Sequence, residues 1–281
     1  MKDYIKLLKK SPLAMVGTVL VIIFLFIALF APFLAPYDPI KQDLNNILQP
    51  PSWAHPFGTD TLGRDILSRI IYGARISLVI GVLVVAISSL IGMALGLISG
   101  FFGGYMDLII MRITDLFLSF PALILAMAIA GALGPSLTNT MIAISLVWWP
   151  PYARLIRGQV LTLRDKEFVE AATALGASNV KIMFIHILPN SITPAIIQAT
   201  MDLGSVILTA AGLSFIGFGA QPPTPEWGSM ISLGRNYFLK QWWLATFPGL
   251  AILFTVVGFN LLGDGIRDLL DPRIRRELKE V

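Results

Sequence analysis

Residues 170–176 form the most informative stretch of the chain. They read Glu-Ala-Ala-Thr-Ala-Leu-Gly and lie between two long apolar segments. Polar, helix-forming residues in an otherwise apolar protein must face water, and a short helix held between two membrane spans can pass mechanical force to a soluble partner. Phe168, Ala171, Ala172 and Leu175 recur at i, i+3, i+4 and i+7, so they are predicted to share one helix face. The chemistry expected here is protein docking rather than catalysis.

The ends of this helix, and a second helix after it, are predicted from residues that cap helices. Asp165 precedes Lys166, and its carboxylate can accept hydrogen bonds from the orphan N–H groups of a helix that starts there. Gly176 lies where a left-handed C-terminal cap is needed, and Ser178 can cap a second helix over 179–188. The pattern therefore predicts two short helices joined at a glycine elbow.

The polar face of the first helix indicates which kind of surface it meets. Glu167 and Glu170 are predicted on the solvent side, whereas a helix that rests on a membrane surface favours lysine and arginine there. Phe168 and Leu175 are suited to anchor in a groove of a protein partner, and the alanines allow close approach. We therefore expect docking to a protein, with a helix lying on the membrane as the alternative.

The composition argues against most catalytic chemistry. The 281 residues are 56% hydrophobic and 14% charged, against roughly 25% charged in a soluble domain, so a polytopic membrane protein is predicted. The chain contains no cysteine, and its two histidines are His55 and His186. Thiolate ligands and cysteine nucleophiles are excluded, and we expect no catalytic residue and no metal site. A membrane-embedded hydrolase is a minor alternative, but Ser214 and Asp202 have no nearby histidine in the sequence.

Three residues after the first helix are also singled out. Asp202 lies about ten residues into an apolar run, roughly 15 Å deep, where a carboxylate is costly and is by default a functional hypothesis. It is predicted either to line a translocation path, meeting a peptide amino group or a metal cation, or to pair with a facing helix. His186 is expected to close the loop by hydrogen bonding, and Pro189 to restart the chain toward the next span.

Six apolar runs are the candidate membrane spans, since a hydrocarbon core of about 30 Å needs about 20 residues at 1.5 Å each. They cover residues 13–34, 76–98, 108–133, 137–149, 192–218 and 243–262. Gly92, Gly96 and Gly100 recur at every fourth residue of the second run, which predicts close packing against a neighbouring helix.

Two of these runs contain residues that disturb a simple span. Asp107, Arg112 and Asp115 lie near the start of the third run, and their spacing predicts that they pair with one another. The fourth run is short, and we expect it to continue through Pro150 and Pro151 as a kinked helix.

The distribution of basic residues predicts the orientation in the membrane. With the N-terminus in the cytoplasm and six alternating spans, fifteen of the 21 lysines and arginines face the cytoplasm, so both termini are predicted there. The expected organisation is an N-terminal anchor helix with an extracytoplasmic loop over 1–75 and a five-helix core over 76–265. That core contains the cytoplasmic loop at 158–190, and a cytoplasmic tail follows over 266–281.

Several stretches together resemble one known family, and they span nearly the whole chain. The stretch at 170–176 is similar to the EAA signature, which is Glu-Ala-Ala, three residues and then Gly. Similar motifs lie at 55–60 with 63–65, at 186–190, at 221–228, and at 260–265 with 271–272. The chain resembles the second permease subunit of the dipeptide, oligopeptide and nickel family of ABC importers.

This resemblance implies an all-α type I importer fold with six transmembrane helices in the cytoplasmic membrane, working by alternating access. It implies a pore formed with a related permease, two cytoplasmic ATPases, and an extracytoplasmic solute-binding protein for which segments 37–75 and 219–241 are natural surfaces. The ATPases would hold ATP and Mg²⁺, because this chain has no G-x-x-x-x-G-K-[ST] phosphate loop. No nucleic-acid partner is expected. Coupling to the ATPases is implied for Lys166, Glu167, Phe168, Glu170, Ala171, Ala172, Leu175 and Gly176.

The substrate and the energy source leave alternatives open. Within the resembled family, peptides and chelated nickel or another metal are both open, and the absence of cysteine favours peptides only mildly. A secondary transporter that works without ATP is an alternative of another class. Such folds commonly show inverted repeats; no convincing repeat is visible here, and the EAA-like loop would have no purpose.

Overall fold

The computed structural model describes residues 12–270, with side chains described as far as residue 268. Within that part the chain is helical and has no β-strand; an isolated bridge joins Thr59 and Asp65. The all-α prediction is confirmed. The lysines at positions 2–10 and most of the expected tail, residues 271–281, lie outside the described residues.

Nine helices of eight residues or more organise the described part of the chain. They are α1 (Pro12–Leu29), α2 (Ile66–Phe102), α3 (Gly104–Leu118), α4 (Ala122–Leu133), α5 (Leu137–Leu163), α6 (Glu167–Ala174), α7 (Thr193–Ile216), α8 (Trp227–Gly234) and α9 (Trp243–Leu270). Shorter helical turns lie at Ala31–Leu34, Leu44–Asn46, Asn179–Lys181, Ile182–Ile187, Leu188–Ser191 and Arg235–Tyr237.

Four of these helices, α1, α2, α7 and α9, are long and apolar enough to cross a membrane. A fifth span results if α3 and α4, which meet at an angle of 92°, are one broken span. The predicted fourth run does continue through its two prolines, as α5, but that helix also carries Arg154 and Arg157. The count of six spans therefore stays a prediction.

The second predicted span begins ten residues earlier than expected. Helix α2 starts at Ile66, where the Asp65 carboxylate accepts a hydrogen bond from the N–H of Ser68 at 2.8 Å. The sequence obscures this start because Arg69 interrupts the apolar pattern. In the fold that arginine is 2% exposed and donates to the carbonyl of Pro39 at 2.9 Å. The helix is 37 residues long, or about 55 Å.

The acidic residues of α3 bind arginines of α5, and the prediction that they pair with Arg112 is wrong. Arg157 donates to both carboxylate oxygens of Asp107, with Nε–Oδ1 at 2.5 Å and Nη2–Oδ2 at 2.6 Å. Arg154 binds Asp115 at 2.6 Å. The spacing in the sequence favoured ion pairs within one helix. In the fold, α3 packs on α5, and the arginines of α5 lie closer to the two carboxylates.

The glycine stripe of α2 brings the backbones of α2 and α5 into contact, as predicted. A Cβ added at Gly92 would lie 2.4 Å from the carbonyl oxygen of Trp149. One added at Gly96 would lie 2.4 Å from the carbonyl oxygen of Ala153, and one at Gly100 would meet a valine side chain at 2.7 Å. Only residues without a Cβ permit this approach, so the stripe fixes how α5 sits on α2.

The anchor helix α1 lies on the outside of the bundle. Its buried residues, Ala14, Gly17, Val21 and Ala28, follow one helical stripe, and most of its other side chains are exposed. Gly17 packs against α9, since an added Cβ would lie 2.6 Å from the Cβ of Leu261. The arrangement is that of a helix whose outer face meets lipid.

Candidate functional site

The loop between α5 and α7 is built as a rigid elbow. Helix α6 ends at a glycine in the left-handed region, with Gly176 at φ +78°. The N–H of Gly176 bonds to the carbonyl of Thr173, and the N–H of Ala177 bonds to that of Ala172. These are the two hydrogen bonds of a Schellman cap. The predicted role of Gly176 as a helix terminator is therefore confirmed.

The start of α6 differs from the prediction. The capping position is occupied by Lys166, which makes no side-chain capping bond, so the expected cap by Asp165 is wrong. The carboxylate of Asp165 instead lies 3.4 Å from Nε of Arg164. After the elbow, Ser178 accepts a hydrogen bond from the N–H of Lys181 at 3.4 Å and caps the second segment, as predicted.

The two apolar faces of α6 serve different surfaces. Phe168 and Leu175 point outward, with 42% and 88% of their surface exposed. Ala171, which lies between them, is exposed as well. Ala172 was predicted on this same face, but it is 8% exposed and packs inward, beside Val169 at 5%. At about 100° per residue, Ala172 lies only about 40° around the helix axis from Phe168, on the side toward Val169, and the packing of that side into the core buries its small side chain.

The inward face of the loop continues into the core of the helix bundle. Val169 and Ala172 belong to one buried cluster with residues of α2, α5, the second loop segment and α7. The cluster comprises Leu97, Tyr152, Ile156, Val160, Val169, Ala172, Ile182, Met183, Ile187 and Ala195. The sequence pattern missed Val169, although its i, i+3 spacing with Ala172 is a signal for a second apolar face. Helix α6 packs chiefly on the segment Ile182–Ile187, so a displacement of α6 would reach α5 and α7 through the second loop segment and this shared cluster.

The second loop segment is continuous through a wide helical turn at Ile182–Ile187 into Leu188–Ser191. Pro189, which has no N–H to donate, lies in the first turn of the latter helix, directly after the wide turn. The hydrogen bond found at His186 is made by its main-chain carbonyl, which accepts from Nδ2 of Asn190 at 2.7 Å. This bond joins residues four apart in one helical segment, so closure of the loop by His186 stays a prediction.

The acidic residues of α6 face solvent, as predicted. Glu167 and Glu170 are exposed. Glu170 also lines a shallow hollow beside α6, together with Arg164, Val169 and Thr173. The outward surface of the loop therefore combines two apolar side chains with two carboxylates.

Asp202 lies inside the helix packing, with 8% of its surface exposed. Its Oδ1 accepts a hydrogen bond from Nε2 of Gln198 at 3.0 Å, and the side chains of Tyr152 and Trp148 from α5 are its other polar neighbours. Among the described residues, Oδ2 of Asp202 and the hydroxyl of Tyr152 are buried without a partner of good hydrogen-bond geometry. The carboxylate thus lies between the two helices that carry the loop, and no sequence pattern pointed to Tyr152.

Most of the chain matches one family model, described as the binding-protein-dependent transport system inner membrane component, over residues 92–276. The chain belongs to this family. A second model, the N-terminal TM domain of oligopeptide transport permease C, matches residues 1–51. The permease is therefore a multi-pass membrane component of an ABC importer, which works with ATPase and solute-binding subunits. The resemblance stated from the motifs is confirmed.

Similar proteins cover the permease almost from end to end. A probable D,D-dipeptide transport system permease protein of Escherichia coli K12 is 54% identical, covering 95% of this chain and 90% of that protein. A dipeptide transport system permease protein of Alkalihalophilus pseudofirmus is 48% identical, covering 98% and 90%. A glutathione transport system permease protein of Escherichia coli is 44% identical, covering 95% and 88%. These relatives are permeases, so the prediction of a transporter subunit rather than an enzyme is confirmed.

The fold also matches a solved transporter. The crystal structure of an amino acid ABC transporter with histidines superposes with a TM-score of 0.53 at 17% identity, covering 75% of this chain and 94% of that chain. At this identity the likeness concerns the fold alone.

Proposed function

We propose that this permease forms one half of a heterodimeric pore that imports di- or oligopeptides across the cytoplasmic membrane. Support comes from the relatives named above, two of which are named as dipeptide permeases at about half identity over nearly full length. The proposed arrangement has six spans, both termini in the cytoplasm, an anchor unit over 1–75, a core over 76–265 and a tail over 266–281. A related permease, two ATPases and an extracytoplasmic solute-binding protein complete it.

The observation that carries the coupling proposal is the two-sided geometry of α6. Phe168 and Leu175 lie seven residues apart, which places them on one face about 10 Å apart along the helix axis. Both are exposed in a loop whose other face is packed into the core. We assign that outward face, with Ala171 between its anchors, to a groove on an ATPase subunit.

The inward face then supplies the transmission step. ATP and Mg²⁺ bind to the ATPase subunits, whose closure moves α6. Val169 and Ala172 press on the segment Ile182–Ile187, whose Ile182 and Ile187 share one buried cluster with residues of α5 and α7. Lys166 and Gly176 delimit α6 so that it moves as one body, and Glu167 and Glu170 remain available for polar contacts at the rim of the groove.

Asp202 remains a candidate for the translocation path in this proposal. Its burial beside Tyr152 means that a substrate amino group reaches it only when α5 and α7 separate. Asp202→Asn keeps the acceptor for Gln198 and removes the charge. With a path role, uptake falls while the complex still assembles; unchanged uptake by a normally assembled variant removes the residue from the path.

The coupling proposal is tested with the assembled transporter in proteoliposomes. Phe168→Ala and Leu175→Ala should each weaken retention of the ATPase subunits, and the double variant should abolish binding-protein-stimulated uptake. Leu133→Ala is the matched control, because it removes exposed apolar surface (47%) at the far end of α4. Hot-spot truncations cost about 2 kcal/mol or more, so retention should fall roughly 30-fold for the variants of α6.

The result that contradicts the proposal is uptake that continues without ATP, or ATPase retention that is equal in the Leu133 control and the α6 variants.

The substrate is tested in the same vesicles by competition. Labelled dipeptide uptake should be displaced by unlabelled dipeptides and left unchanged by nickel complexes. Displacement by nickel alone would reassign the substrate while leaving the coupling role intact.

A further inference from the structure

A hollow on the outer side of the permease lies between the end of the anchor helix and α2. Its volume is about 520 Å³, within the size range of ligand pockets. Its walls come from the segment just after α1 and from the third turn of α2. The polar side chains that line it are Tyr37, Asp38, Tyr72 and Arg75.

The position of this hollow relative to the membrane follows from the packing. Tyr37 lies three residues beyond the helical turn Ala31–Leu34, and its N–H donates to Oγ of Ser68 in the first turn of α2 at 3.0 Å. The outer end of the anchor helix and the start of α2 therefore lie at the same height along the bundle axis. Arg75 lies two helical turns, or about 10 Å, further along α2 and directly precedes the apolar run that starts at Ile76. By the span boundaries predicted from the sequence, Arg75 therefore lies at the border between hydrocarbon and lipid headgroups.

The charges in the hollow are available to a ligand. Arg75 is exposed and makes no ion pair or hydrogen bond with the described residues. Asp38 is exposed, and one of its oxygens accepts from the N–H of Ile40 at 2.8 Å, which leaves the other free. The two residues do not pair with each other, although both line the same hollow.

Apolar surface continues from the hollow toward the membrane interior. On α1 and the turn after it, Leu29 is 71% exposed and Phe33 is 86% exposed. On α2, Val79 and Val82 are 50% and 52% exposed. A ligand with a charged head in the hollow would thus find an apolar surface on either side for its tail.

We propose that this hollow binds the headgroup of a zwitterionic phospholipid with a primary ammonium group, such as an ethanolamine phospholipid. The phosphate is held by the guanidinium of Arg75, which suits phosphate oxygens. The ammonium donates to the free oxygen of Asp38, and Tyr72 contributes its hydroxyl at the rim. One fixed cation and one fixed anion in the same hollow select a zwitterion over an anionic lipid. The lipid would fasten the anchor helix to α2.

The test is lipid retention by the assembled, detergent-purified transporter, measured by native mass spectrometry after exchange into defined lipid. Arg75→Gln should reduce retention of ethanolamine lipid about tenfold, the scale expected for losing one charge-assisted hydrogen bond. Lys41→Gln is the matched control, since it removes an exposed cation of the same outer segment that does not line the hollow. It should leave retention unchanged within twofold.

Headgroup choice separates this proposal from its competitors. Asp38→Asn should reduce the preference for ethanolamine lipid over glycerol lipid, and a choline lipid, whose quaternary ammonium donates no hydrogen bond, should bind more weakly. Equal retention by Arg75→Gln and wild type overturns the proposal, as does an equal preference for glycerol lipid. Displacement of the lipid by a free dipeptide also overturns it, because the hollow would then be a peptide site. None of these outcomes depends on the substrate or on ATP coupling.

Discussion

Replacing Gly96 by alanine tests whether the backbone contact between α2 and α5 holds the permease core together. The added Cβ would lie 2.4 Å from the carbonyl oxygen of Ala153 and 3.1 Å from its Cα, whereas ordinary contacts begin at 3.4 Å. The obstacle is backbone, so no side-chain rotation relieves it. The two helices must separate by about 1 Å, or α2 must shift along α5.

The magnitude follows from two opposed effects. Overpacking of a tight interface costs about 1–3 kcal/mol, while alanine in place of glycine favours the helix by about 1 kcal/mol. Gly158→Ala isolates the second effect, because no atom lies within 4 Å of a Cβ added at that position of α5. The difference between the two variants is then the packing cost of about 1–3 kcal/mol.

The assay is thermal unfolding of the assembled transporter in detergent, followed by size-exclusion of the soluble fraction. At about 2–4 °C per kcal/mol for a chain of this size, Gly96→Ala should unfold about 2–12 °C below Gly158→Ala. Coincident curves for the two variants would refute the close approach of α2 and α5.

Two further predictions concern polar contacts. The side chains of Asp107 and Arg157 are 20% and 31% exposed, and a double-mutant cycle followed by chemical unfolding should give a coupling energy of about 1 kcal/mol for this pair. The side chains of Asp115 and Arg154 are 56% and 57% exposed, and the same cycle should give less than about 0.5 kcal/mol. Equal couplings would contradict the role of burial. Burial raises the pKa of Glu226 above its ordinary value of 4.5, although hydrogen bonds from backbone N–H groups oppose this shift. Folding therefore favours the protonated acid of Glu226 over the carboxylate, compared with the unfolded chain. Stability should therefore fall as pH rises from about 4.5 through the raised pKa, and Glu226→Gln should flatten this thermal pH profile.

Local sequence determined the features that depend on neighbouring residues. The apolar runs identified α1, α2, α7 and α9, because a membrane span needs a continuous apolar length whatever surrounds it. Gly176 and Ser178 identified the elbow, since their capping bonds reach only three to five residues along the chain. The motif at 170–176 indicated the family before any contact was known.

Errors arose where a residue's partner lies on another helix. In the sequence Arg69 interrupts the apolar pattern, but in the fold it is buried against the carbonyl of Pro39, thirty residues away. Asp107 was assigned a neighbour on its own helix, whereas Arg157 of α5 holds it. The failed cap at Asp165 has a different origin, because its carboxylate lies beside its chain neighbour Arg164.

The division of α6 into two faces shows most directly what the local sequence cannot predict. By itself the sequence determined that α6 is a short amphipathic helix with anchors at Phe168 and Leu175. Only the tertiary structure decided that Ala172 and Val169 face inward, because that choice depends on the angle at which α5 delivers the chain to the loop. The same holds for Asp202: its depth follows from counting residues along a span, but its neighbour Tyr152 is set by the packing of α5 on α7. Contacts between helices depend on crossing angle and rotation, which no local pattern contains.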